Sequence, residues 1–221
     1  MTAWFVTGTG TDIGKTYVTA GLVRHLRRQR IEACALKPVA SGFDAQAAAQ
    51  SDAGQLIAAM GEPATPDTVA RISPWRFAAP LSPDMAAARE GRTIDFDALL
   101  AFCRAQTSPA LFIEGVGGVM VPLDGAHTVL DWMAALRLPL VLVAGSYLGA
   151  ISHTLTAVDV CRRRDLAIAA LVINESPQAT VPLVETAATL ARFLPEMPLT
   201  TLSRPAADDE FAALWRLLEA S

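Results

Sequence analysis

Short apolar runs alternate with longer amphipathic stretches along the chain. Trp4–Thr7, Ala33–Leu36, Ala110–Ile113, Leu140–Val143 and Ala169–Ile173 are apolar at consecutive positions, which predicts strands buried on both faces. Between them apolar residues return at three- and four-residue intervals, as at Val18, Leu22, Val23 and Leu26. That spacing predicts helices over Lys15–Arg28, Asp52–Met60, Ser82–Arg89, Asp95–Ala105, Thr128–Leu136, Ala150–Arg163, Val181–Phe193 and Asp209–Leu218. The alternation predicts an α/β fold, a parallel sheet with helices on both faces and ligands beyond the carboxyl ends of its strands. Gly61 to Pro83, rich in proline, is predicted as a surface loop.

Composition narrows the class. A chain of 221 residues fits one domain, 1–221, large enough for a core without staples. The net charge of −4 recommends no nucleic acid, and the arginines of 24–30 and 162–164 fall where cations complement helix C-termini. Cys34, Cys103 and Cys161 are odd in number and far apart, so neither a disulfide framework nor a thiolate metal site is expected. With no signal-peptide pattern at the start, the expected compartment is the cytoplasm. The uncharged stretch Leu138 to Val158 is divided by Pro139, Gly145, Ser146, Gly149 and Ser152, so no membrane span is expected there.

The chemistry begins at Gly8 to Thr16, GTGTDIGKT, directly behind the first strand and in front of the first helix. Backbone N–H groups of such a turn, together with the helix N-terminus, cradle an anion; Lys15 adds a charge and Thr16 a hydroxyl for Mg²⁺. Five residues separate Gly8 from Gly14, one more than the common phosphate loop has. The sheet is therefore expected to be of the P-loop NTPase type. Glu114 closes the strand Ala110–Ile113 and precedes Gly115-Val116-Gly117-Gly118, a position for a second Mg²⁺ ligand. Lys37 leaves the second strand, either as a cation for a transferred phosphoryl group or as a solvated charge. Asp52 follows Ser51 at a helix start and reads equally as an N-cap or as a Mg²⁺ ligand. Asn174 ends the last apolar run, where its amide suits an adenine edge or a turn. His25, His127 and His153 have no carboxylate or serine at a telling spacing, although His153 begins a helix whose free N–H groups suit an anion.

With these residues assembled the chain resembles the ATP-dependent dethiobiotin synthetase family. The resemblance rests on VTGTGTDIGKT at 6–16, KPVASG at 37–42, SDA at 51–53, SP…EGR at 82–92, EGVGG at 114–118 and GSYLGAISH at 145–153. It implies a ligase that joins 7,8-diaminononanoate, CO₂ and MgATP through a carbamate and its phosphoric anhydride. It implies that Lys15 and Lys37 are catalytic and that Thr16, Asp52 and Glu114 hold Mg²⁺. Asp12, Ile13, Gly14, Tyr17, Gly115, Val116, Gly117, Asn174, Glu175, Ser203, Arg204, Pro205 and Glu210 would complete the nucleotide site. Thr11, Ser41 and Gly117, with Leu148, Gly149, Ala150, Ile151, Ser152 and His153 from a partner subunit, would bind the diamine substrate, which makes the enzyme a homodimer. Against the family pattern, Gly10 stands where many relatives carry aspartate, Asp12 where many carry glutamate and Asp84 where histidine is usual. The segment 202–205 lacks the proline usual at its second position.

Overall fold

Each of the five apolar runs is a strand in the computed structural model, which describes residues 2–177, 179 and 181–220. From the N-terminus come β1 (Thr2–Gly8), α1 (Lys15–Arg28), β2 (Ala33–Leu36), β3 (Val39–Ser41), α2 (Asp52–Ala59), α3 (Pro66–Ile72), β4 (Trp75–Phe77), α4 (Pro83–Arg89) and α5 (Phe96–Arg104). There follow β5 (Ala110–Glu114), α6 (Val129–Leu136), β6 (Leu140–Ala144), α7 (Ala150–Arg163), β7 (Ile168–Asn174), α8 (Leu183–Phe193), β8 (Leu199–Leu202) and α9 (Asp208–Glu219).

The main sheet has six strands in the order β2-β5-β1-β6-β7-β8, and every neighbouring pair is parallel. All residues of β5 and of β6 are buried, so helices cover both faces of the sheet. Trp4 stacks on Phe112, and Phe5 meets Trp132 edge-on at 4.8 Å, which ties β1 to β5 and α6. Register then positions the chemistry: β1 pairs Val6 with Glu114 and Gly8 with Val143, so the acidic end of β5 lies beside the turn that leaves β1.

Caps explain the helix starts. Ser51 caps α2 by accepting from the Gly54 N–H, and Asp95 caps α5 the same way through Ala98. Thr128 and Asp131 form a reciprocal capping box at α6.

The segment Gly61 to Pro83 departs from its predicted loop, since it contains α3 and β4. Its prolines are placed where a helix tolerates them: Pro66 is at the first turn behind the Thr65 cap, where no N–H is needed. β3 and β4 form a separate parallel pair of three residues each, and β8 is a half-buried edge strand; none is long or apolar enough to announce itself. Leu138 to Val158 resolves into β6, a turn and the start of α7, and no helix among the described residues is long and apolar enough to cross a membrane.

Candidate functional site

At the carboxyl ends of β1, β5 and β2, backbone shape comes first. Asp12 and Gly14 both have positive φ, 56° and 93°, which turns the intervening peptides inward. Gly14 is also the N-cap of α1, so the N–H groups of the first helical turn have no partner in the helix. Gly8 is crowded, because a Cβ there would meet the Ile13 side chain and come within 3.1 Å of the Val143 carbonyl. Ile13 itself is buried under the loop as packing.

Four side chains meet just below. Glu114, wholly buried, accepts through Oε1 from Thr16 Oγ1 at 2.6 Å and from Lys37 Nζ at 2.7 Å. Lys37 Nζ also donates to the Gly115 carbonyl at 3.0 Å and lies 2.9 Å from Asp52 Oδ2. Burial opposes the charge of Lys37, but the Glu114 and Asp52 carboxylates outweigh it and push its pKa up. Burial likewise works against Asp52, and the Lys37 charge with hydrogen bonds from Lys37 and Thr16 holds that carboxyl below its ordinary value. The two carboxylates thus favour the charged form of Lys37. Lys15 has no carboxylate so close; its Nζ donates to the Gly10 carbonyl at 2.8 Å. Burial first, then the charge of Lys37, bring Lys15 down to about 8, against partial support from Glu114, Asp52 and Asp12.

The cluster suits a hard divalent ion. Glu114 Oε2 is buried without a hydrogen-bond partner, an acceptor that a cation would satisfy. Among the described residues no group of three His, Cys, Asp or Glu forms an all-protein cage. A hydroxyl and two carboxylates, Thr16, Asp52 and Glu114, are what Mg²⁺ needs when phosphates and water supply the remaining ligands.

Thr11, Asp12, Gly14, Lys15, Thr16, Tyr17, Lys37, Ser41, Asp52, Val116, Gly117 and Arg204 line one cleft of about 810 Å³. Of the two readings of Asp52, the N-cap falls to Ser51, and Asp52 faces Lys37. Lys37 is 3% exposed, so it is no solvated surface charge.

The remaining predicted nucleotide residues are arranged as scaffold around the cleft. Asn174 is buried and donates Nδ2–H to the Ile13 carbonyl at 2.8 Å, and its Oδ1 has no partner. Glu175 accepts from the Arg204 N–H. Glu210 accepts from the N–H and hydroxyl of Ser203 and from the Ala207 N–H, and Pro205 is exposed with its carbonyl accepting from Ser203 Oγ. The Tyr17 hydroxyl donates toward the Ser203 carbonyl and accepts from the Ala206 N–H, so the 203–207 loop is fastened to α1. Leu148, Gly149, Ala150, Ile151, Ser152 and His153, at the start of α7, do not line the cleft, and Leu148 is 84% exposed.

Sequence reasoning missed Phe43, Gln50, Gln55, Pro80, Leu81 and Val121 on the cleft wall. Gln55 had a signal, one helical turn beyond Ser51; Pro80 and Leu81 arrive by tertiary packing and had none. The histidines have partners that local spacing understated. His127 Nδ1 lies 2.9 Å from Asp124, and buried His25 lies 3.2 Å from Asp208 at the start of α9. His153 Nδ1 meets the Tyr147 hydroxyl at 2.8 Å.

Comparison with known proteins finds relatives along nearly the whole chain. A family model described as an AAA domain matches residues 2–204. The ATP-dependent dethiobiotin synthetase of Acidiphilium cryptum is 54% identical over 202 residues, covering 90% of this chain and 91% of that protein. The Methylobacterium nodulans enzyme of the same name is 51% identical over 201 residues, with 87% and 89% covered. That of a Caulobacter species is 46% identical, with 100% and 96% covered. Among solved structures, the signal recognition particle receptor FtsY of Elizabethkingia anophelis in complex with GDP superposes with a TM-score of 0.50 at 12% identity. It covers 95% of this chain, which spans 58% of that one, and the likeness concerns the fold alone. Identity at this level over nearly the whole length, on a phosphate loop backed by a Thr-Glu-Lys-Asp cluster, means that the chain belongs to the ATP-dependent dethiobiotin synthetase family.

Proposed function

We propose that the cleft carries out the ring-closing carboxylation of 7,8-diaminononanoate with CO₂ and MgATP. One amine of the substrate adds to CO₂ and loses a proton, giving a carbamate. A carbamate oxygen displaces ADP from the γ-phosphorus, and the second amine then attacks the carbonyl carbon and expels phosphate, leaving the cyclic urea of dethiobiotin. No enzyme nucleophile is needed, in keeping with a cleft that offers no activated serine, cysteine or histidine.

The observation that carries this reading is Lys37, buried and held charged by Glu114 and Asp52 at the edge of the phosphate loop. A fixed cation there stabilises negative charge on the carbamate and on the transferring phosphoryl group. Lys15 does the same from the loop side. Thr16, Asp52 and Glu114 would hold Mg²⁺, which neutralises the triphosphate when bound. Thr11, Ser41 and Gly117 take the diamine end; Ser41 Oγ supports this, being a buried hydroxyl without a partner on the cleft wall. Asn174 Oδ1, Glu175, Ser203, Pro205 and Glu210 shape the nucleoside end.

The carboxylate end of the substrate lies too far from the diamine to be read by the same loop. We assign it to residues 148–153 of a second copy, whose α7 N-terminus offers free N–H groups on an exposed turn. The working unit is then a cytoplasmic homodimer of one-domain chains, with no nucleic-acid or membrane partner. The test is incubation with diaminononanoate, labelled bicarbonate and MgATP. Labelled dethiobiotin is expected, with ATP turnover that requires the diamine. ATP hydrolysis indifferent to the diamine would refute the reading.

A further inference from the structure

Among the described residues two cations of the cleft, Lys15 and Arg204, have no carboxylate within ion-pair distance, and of these Lys15 is held on the Gly10 carbonyl. Arg204 leaves β8 on the loop toward α9, and its guanidinium carbon lies 4.7 Å from the centroid of the Tyr17 ring. Tyr17 packs in turn against Phe211 of α9, and Phe211 fills the space a Cβ would need at Gly21 of α1. The stack Phe211, Tyr17, Arg204 is therefore built into the face of the nucleotide helix.

At its outer end the guanidinium packs on the phosphate loop itself. Arg204 Nη2 occupies the space that a Cβ at Gly14 would take, one residue before Lys15. Its backbone is clamped from the other side, since Glu175 accepts from its N–H at 2.8 Å. Among the described residues no carboxylate lies within ion-pair distance of the guanidinium, and Nε is buried with no acceptor. Lys37, by contrast, faces two carboxylates, and Lys15 is held on a carbonyl.

We infer that Arg204 is a phosphate-contacting residue, whose guanidinium takes the triphosphate from the side opposite Lys15. The inference rests on the reading of the cleft as a nucleotide site and deepens it. A half-buried guanidinium stacked on an aromatic ring has its orientation fixed and its donors unspent, and a phosphate oxygen is the ligand for which that arrangement is suited. Proximity to Gly14 and to the first turn of α1 places those donors by the phosphates. The family resemblance places Arg204 only within the nucleotide site and assigns its side chain no partner.

The test is equilibrium binding of MgATP and of magnesium pyrophosphate to the full-length wild type, Arg204→Ala and Arg204→Lys, at low and high salt. Arg204→Ala should weaken both probes by between about tenfold and a hundredfold, the loss expected for a hydrogen bond to a charged group. Arg204→Lys should recover part of it, and the deficit should shrink in high salt. Two results would overturn the assignment: unchanged affinity for both probes, or lost ATP affinity with pyrophosphate binding intact, which marks a base contact. If wild type bound neither probe, the nucleotide reading itself would fall, and Arg204 with it. Matching thermal melts of the three proteins exclude a folding defect as the cause.

Discussion

Replacing Lys37 by methionine keeps the length of the side chain and deletes its charge. Glu114 would then be a wholly buried carboxylate with the Thr16 hydroxyl as its remaining donor, since Oε2 has no partner and Oε1 loses the 2.7 Å contact. Breaking a buried ion pair from one side costs roughly 3–5 kcal/mol, because the orphaned charge remains desolvated. That is a large part of the roughly 5–15 kcal/mol by which a domain is folded. The repair is as informative as the damage. In Lys37→Met/Glu114→Gln the wholly buried carboxylate is gone as well, so the double variant should be more stable than Lys37→Met by about 2 kcal/mol or more, a coupling well beyond additivity. Urea unfolding of the ligand-free chain, followed by the fluorescence of buried Trp4 and Trp132, measures both. Two results would refute the argument: a Lys37→Met chain within about 1 kcal/mol of wild type, or a double variant no more stable than the single. In Lys37→Met, turnover should fall at least about tenfold while nucleotide affinity changes little, the signature of the role proposed for the lysine on charge that develops during transfer.

The remaining predictions address the loop and the assembly. Lys15 carries its charge only below about 8, so kcat/KM for ATP, which reports the free enzyme, should be level below that pH and fall as pH rises through it; a flat profile to pH 9.5 or so would contradict the assignment. Gly14→Ala forces a Cβ into a residue at φ 93° and against Arg204 and Asn174. A strain of roughly 1–3 kcal/mol concentrated in the loop should weaken ATP binding at least tenfold with the far-ultraviolet circular dichroism unchanged. Wild-type affinity in that variant would count against the loop geometry. Mixing inactive Lys37→Ala chains with inactive Ser152→Asp chains should restore activity through mixed dimers with one intact site; no restoration would mean that both halves of the site belong to one chain.

The reach of the sequence can be judged from particular residues. The phosphate loop was legible because its function is local: spacing, preceding strand and following helix all lie within 28 residues of the start. Lys37 was ambiguous because its burial depends on β2 lying beside β5, a pairing between residues 77 positions apart that no local pattern encodes. Asp52 was ambiguous for a smaller reason, since serine and aspartate are both good caps and only the backbone decides which one takes the role. α3 was hidden by composition: its Pro66 reads as a breaker unless the helix start is known. Scaffold roles of Asn174 and Glu175 escaped notice because their partners are backbone atoms of distant loops, whereas Glu210 holds the nearby Ser203 and Ala207 of the loop before its own helix.

The stack of Phe211, Tyr17 and Arg204 joins α1 to the loop before α9 and to α9 itself. Tyr17 and Ala206 are 189 positions apart, and His25 meets Asp208 across a similar span. During synthesis the phosphate loop is made well before the wall that faces it, because 189 positions separate Tyr17 from Ala206. The nascent chain therefore carries an open half-cradle until the 203–207 loop and α9 have emerged, and the wall closes over the loop only when α9 docks on α1.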